Sequence, residues 1–177
     1  MRKSYIWIII VSVLLMAIGV GVTVAILVSS PKTVVNTFTV GGVSITLTET
    51  TGESYKLTPG VTVPKDPTVT VLASSEKSWL FVKVEKENAF DTFCVCEIQE
   101  GWTALEGQQG VYYRLVETSS ADQAFPVLKN NSIYVKDTVT EEQLNVITVN
   151  PKLTFTAYAV QKDGFSTAAA AWQALHQ

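Results

Sequence analysis

From Thr33 onward, short runs of alternating apolar and polar residues are separated by turn-forming clusters: TGE at 51–53, TPG at 58–60, VPKDP at 63–67, SSEK at 74–77, EGQQG at 106–110 and KNN at 129–131. A period of two sends every second side chain to the same face of an extended chain, so these runs predict half-buried β-strands. The expected strands cover 33–40, 43–49, 68–73, 79–86, 93–99, 111–117, 133–136 and 153–161. Such a series of short strands predicts an all-β domain built as a two-sheet sandwich. Its inward faces are expected to carry Val69 and Val71, then Leu80, Val82 and Val84, and finally Leu153, Phe155, Ala157 and Ala159. Strand 79–86 is apolar on both faces near its start, because Trp79 and Phe81 oppose Leu80 and Val82. It is therefore either a central strand covered on both sides or one that offers a binding face.

The pattern changes after Gly164. FSTAAAAWQALH is rich in helix formers, with Ser166 or Thr167 available to cap the first turn, and predicts a C-terminal helix over 166–176. Ala168, Trp172 and Leu175 form a narrow apolar stripe expected to lie against one end or edge of the sandwich. The segment EEQLNVI at 141–147 fits a helical turn or a connecting loop equally well.

Alternation also breaks at Gly41-Gly42. Phe38 and Val40 share one parity, whereas Val43, Ile45 and Leu47 share the other. A two-residue hairpin explains the shift by pairing Val40 with Val43 and Phe38 with Ile45. A bulge in one continuous strand explains it equally well and leaves 33–40 free to reach a neighbouring molecule. Burial of Val34, Phe38 and Val40 in another subunit would contribute roughly 5–9 kcal/mol before ordering costs.

Ahead of these strands, Tyr5 to Val28 contains no charge and, in its interior, only Ser12 and Thr23 as hydroxyl residues. Twenty-four residues of helix would reach about 36 Å, enough for a hydrocarbon core of about 30 Å. Arg2 and Lys3 favour a cytoplasmic N-terminus, which places 31–177 outside the membrane as one domain. Residues 1–30 then act either as a retained membrane-spanning anchor or as a signal peptide removed by signal peptidase, for which Thr23 and Ala25 supply small residues.

Charge narrows the partners. The chain has 13 basic and 16 acidic residues; without Arg2 and Lys3 the balance is 11 − 16 = −5. With no basic cluster, nucleic acid is not an expected partner. The lone histidine, His176, stands one residue from the C-terminus, so histidine-based zinc sites and hydrolytic triads have no candidate inside the domain. The expectation is a non-enzyme with no catalytic residues, no metal and no cofactor. Cys94 and Cys96 alternate with Val95, which puts both thiols on one face beside Ile98 and favours free cysteines over a bridge. The neighbouring carboxylates Glu85 and Glu87, and Glu141 and Glu142, read as solvated surface. Trp79, Trp102 and Tyr112 are the aromatics that a glycan or wall component would contact in a binding module.

NTFTVGGVSITLTE after an apolar leader, YKLTPGVTVPKDPTVTV at 55–71, WLFVKVE at 79–85, and LTFTAYAVQKDGF followed by AAAAWQAL together resemble secreted Gram-positive proteins with SipW-type signal peptides, related to TasA and camelysin. The resemblance implies a jelly-roll-like sandwich on the cell surface or in the extracellular matrix of a biofilm. It also implies self-assembly, alone or with related matrix proteins, into fibres through donation of an N-terminal strand. The leader departs from the family pattern: Ile26, Leu27 and Val28 follow Ala25 where an aromatic-acidic stretch belongs. The protease label carried by camelysin-like proteins has no support in a chain whose only histidine is His176.

Overall fold

The computed structural model describes residues 27–29, 37–40, 42–51, 54–145, 147 and 150–176, with backbone alone for 27–29, 37–40, 54–56, 141 and 145. Its strands are β1 (Leu27–Ser29), β2 (Thr37–Val40), β3 (Ile45–Thr48), β4 (Ser54–Lys56), β5 (Thr62–Pro64), β6 (Thr68–Val71), β7 (Ser78–Glu87), β8 (Cys94–Val95), β9 (Thr103–Ala104), β10 (Val111–Val116), β11 (Gln123–Pro126), β12 (Ser132–Val135) and β13 (Lys152–Gln161). Three short helices accompany them: α1 (Phe90–Phe93), α2 (Glu141–Asn145) and α3 (Ala168–Ala174).

The two ten-residue strands, β7 and β13, pair antiparallel from Lys152 opposite Glu87 to Gln161 opposite Ser78. They are the spine of a five-stranded sheet in the order β2-β13-β7-β10-β9. Two three-stranded sheets, β11-β6-β3 and β5-β12-β8, and the pair β1-β4 complete the described architecture. All pairings are antiparallel except β2 with β13, which is parallel. The chain is thus predominantly β with one C-terminal helix, as the alternation predicts.

Period two decides which side chains enter the core. Leu80, Val82 and Val84 of β7 and Phe155, Ala157 and Ala159 of β13 share one buried cluster with Ile45 and Leu47 of β3, Val69 and Val71 of β6, and Ile133 and Val135 of β12. Residues of the five-stranded sheet and of both smaller sheets therefore meet in a single hydrophobic layer. The opposite face of the five-stranded sheet is apolar as well. Phe81, Val111 and Val160 pack there with Ala168, Ala171 and Trp172 of α3. The Trp172 ring lies 5.2 Å from Phe81 and 5.1 Å from Tyr158. Strand β7 is apolar on both faces because it is central and covered twice.

Several expectations are corrected. The helix was expected at an end or edge of the sandwich and instead covers an open sheet face, where the surplus aromatics of β7 and β13 require a lid. It is also shorter, spanning Ala168–Ala174, with Thr167 as its N-cap accepting a hydrogen bond from the Ala170 N–H at 3.2 Å. No hairpin forms across Gly41-Gly42, because β2 pairs with β13 while β3 pairs with β6 in a different sheet. The parity shift marks a change of sheet. The strand expected over 93–99 is broken: Asn88 and Ala89 adopt left-handed conformations, α1 follows, and only Cys94–Val95 is paired as a strand. Leu27 and Val28, the end of the expected membrane helix, belong to β1, while residues 1–26 lie outside the described residues. Among the described residues no helix is long and apolar enough to cross a membrane.

Polar contacts tie the end of β3 to the turn before β6. Thr50 and Thr51 donate their backbone N–H groups to Asp66 Oδ1 at 2.8 and 3.1 Å, and both hydroxyls also bond to this carboxylate. The adjacent Lys65 and Glu49 form an ion pair whose side chains are almost completely buried.

Candidate functional site

The residues proposed from sequence for assembly are Val34, Phe38 and Val40. Val34 lies outside the described residues, and Phe38 and Val40 are described by their backbone, which belongs to β2. β2 forms the edge of the five-stranded sheet, with Thr37 opposite Ala157 and Val40 opposite Val160. Its seat is the outer edge of β13. Gly42 follows at the passage to β3, where its carbonyl accepts the Glu76 N–H at 3.2 Å. A Cβ at Gly42 would lie 3.1 Å from the Glu76 carboxyl carbon, so a larger residue there would have to displace that side chain.

The three aromatics weighed for ligand contact do not converge. Trp79 is half-buried beneath the C-terminal segment: its indole N–H donates to the Phe165 carbonyl at 3.3 Å, and Lys162 Nζ lies 5.5 Å from its ring. Trp102 is 9% exposed and belongs to the main core, with its indole N–H bonded to the Pro126 carbonyl at 2.9 Å. This corrects its reading as an exposed contact residue; as a large apolar ring beside two sheets, it is worth more buried. Tyr112 is half-buried and lines a cleft of about 480 Å³ together with Cys96, Ile98, Lys86, Asp91 and Gln109. A second cavity of about 500 Å³ opens across the Gln108-Gln109 turn, bordered by Lys83, Trp172 and His176.

The cleft beside Tyr112 has balanced electrostatics. Lys86 bonds to Asp91 at 2.8 Å, Lys83 to Glu85 at 2.6 Å and Glu87 to Lys152 at 3.2 Å. Of the carboxylates read as solvated surface, Glu85 and Glu87 thus pair with lysines at the rim. Cys96 is half-buried in this cleft, and Cys94 is 2% exposed in the core beneath it; both are free thiols. Burial pushes the Cys94 thiol up to about 11, helped by its neighbour Cys96, and burial likewise raises Cys96. Neither thiol is primed as a nucleophile at neutral pH. Among the described residues no three His, Cys, Asp or Glu side chains stand together as a metal site. His176 folds back on α3, with Nδ1 2.9 Å from the Trp172 carbonyl oxygen and its ring 4.3 Å from the indole.

One residue passed over in the sequence reading stands out. Arg114, in β10, lies with its guanidinium carbon 3.9 Å from the Phe125 ring centroid and 5.5 Å from that of Trp102. The available signal was its rarity: it is the only arginine after Arg2. Against known protein families, curated proteins and solved structures, the chain finds no match.

Proposed function

We propose that this chain is an extracytoplasmic structural protein of the TasA and camelysin kind, a jelly-roll-like sandwich of the Gram-positive cell surface or biofilm matrix. It is held at the membrane by its N-terminal segment, or released from it by signal peptidase. Once released, it assembles with its own copies or with related matrix proteins by exchanging segment 33–40, whereas in the anchored protein that strand closes its own sheet; it performs no catalysis. The observation that carries this reading is β2, a four-residue edge strand paired in parallel to β13, distant in sequence. An edge strand held through one ladder can be replaced by the same strand of another copy without net loss of backbone hydrogen bonds. The change of sheet at Gly42 supplies the hinge about which such a segment would swing.

Electron microscopy of two truncated chains tests it. One starting at Thr33 should form polymers that one starting at Gly42 does not. If both stay monomeric where native material is also monomeric, strand exchange is excluded. A second reading, a module that binds a glycan or wall component, draws on the Tyr112 cleft. Binding on a glycan array that is lost in Tyr112→Ala, with no polymer in either truncated chain, would favour it.

A further inference from the structure

We propose that Arg114 is a binding site for a carboxylate-bearing ligand, independent of strand exchange. Four observations converge on this side chain. Among the described residues it takes part in no hydrogen bond and no ion pair, although six lysines are matched to carboxylates. Its Nε is buried without a partner, whereas the two terminal nitrogens are not among the buried orphan atoms. A half-buried cation without a counter-ion loses part of its hydration, and contact with aromatic rings offsets only part of that cost.

Second, Arg114 issues from the face of β10 that meets the core, between Tyr112 and Val116, and its guanidinium lies against Phe125 and Trp102. Those rings hold the fork in place before any ligand arrives, which lowers the entropy lost on binding. Third, the terminal nitrogens lie beside Gly101, whose missing Cβ would stand 3.5 Å from Nη2. Gly101 adopts φ +93°, a conformation that disfavours a side chain and leaves this approach open. Fourth, 11 of the 13 basic residues are lysines, and the one arginine of the folded domain occupies this position. A lysine would supply charge but not a planar, bidentate edge. The two terminal nitrogens, which have no hydrogen-bond partner among the described residues, form the edge left for a ligand. A planar carboxylate matches that edge with two parallel N–H···O bonds. Glu100, next to Gly101, is exposed and forms no ion pair among the described residues, and Glu117, the carboxylate nearest in sequence, is paired with Lys77.

The test uses the protein itself and the side-chain Nε–H resonance of Arg114, one of only two arginines in the chain. Sodium acetate, titrated against sodium chloride at constant ionic strength, should shift this resonance saturably. Read at the indole N–H of Trp102, a neighbour that wild type and variants share, Arg114→Gln should weaken the saturable response at least about tenfold, the loss of one charge-assisted bidentate contact. Arg114→Lys, which keeps the charge, should weaken it as well. Glu100→Gln should leave it unchanged or tighten it. A tighter response to glucuronate than to acetate identifies a sugar acid as the source of the carboxylate. A tighter response to an N-acetylated, C-amidated glutamate identifies an acidic peptide; both results keep the site. The wild-type titration decides even if a variant fails to fold. A shift equal in chloride and acetate, or a response to sulfate as strong as that to acetate, overturns the assignment.

Discussion

Asp66 shows how a single side chain holds two segments together. Burial raises its pKa, but hydrogen bonds from the side chains and backbone of Thr50 and Thr51 outweigh that and hold it down at about 2. Because the folded value lies below the ordinary carboxylate value of 3.8, the contribution to stability is complete above the latter and is lost as pH falls through the former. Asp66→Ala should lower unfolding stability at neutral pH by about 1–3 kcal/mol, since it leaves the donors of Thr50 and Thr51 unmatched. The same variant should flatten the acid side of the stability profile between about pH 4 and 2, measured by urea denaturation at successive pH values. Cys94 acts at the other end of the scale. Its folded pKa is raised to about 11 from 9.0, so its contribution is present below pH 9 and disappears as pH rises through the folded value. Cys94→Ala should remove that alkaline step, and a step of unchanged size would reject burial of the thiol as its cause.

At the scale of elements, α3 is too short to be stable alone, and its place is secured by what it covers. Trp172 fills the space between Phe81, Tyr158 and His176, and is 6% exposed. Trp172→Ala should cost about 3–5 kcal/mol and expose the aromatic face of β7 to solvent dyes. Thr167→Ala, which removes only the N-cap, should cost about 1 kcal/mol. Chemical denaturation reads both. Similar losses for the two variants would mean that capping, and not burial, anchors the helix.

For the whole molecule, the decisive pairing is β2 with β13, which joins residues 37–40 to residues 157–160. Closing so long a loop delays this contact during folding relative to the antiparallel pairing of β7 with β10. A chain beginning at Gly42 should therefore keep its core but expose the edge of β13. A synthetic peptide of residues 33–40 added in trans should bind this edge and restore thermal stability, as monitored by calorimetry. A peptide without effect, on a truncated chain that is already as stable as the full one, would show that the seat contributes nothing to the fold.

The sequence alone determined whatever follows from local periodicity. Alternation identified the inward faces of β6, β7 and β13, and each residue named for them is buried. Thr167 and the alanine run announced α3, because caps and propensity act within one turn. Strands of two to four residues, such as β4, β5, β9 and β11, carry too few alternations to register, and pairing with other strands stabilises them. The parity break at Gly41-Gly42 was legible, but a hairpin, a bulge and a change of sheet leave the same mark on the chain. Only tertiary structure chose among them, because the choice depends on whether β13 or β3 offers β2 its open edge. The same holds at the candidate site. Arg114 is an isolated cation in an apolar strand by sequence, and only folding sets the rings of Trp102 and Phe125 against it and withholds a counter-ion.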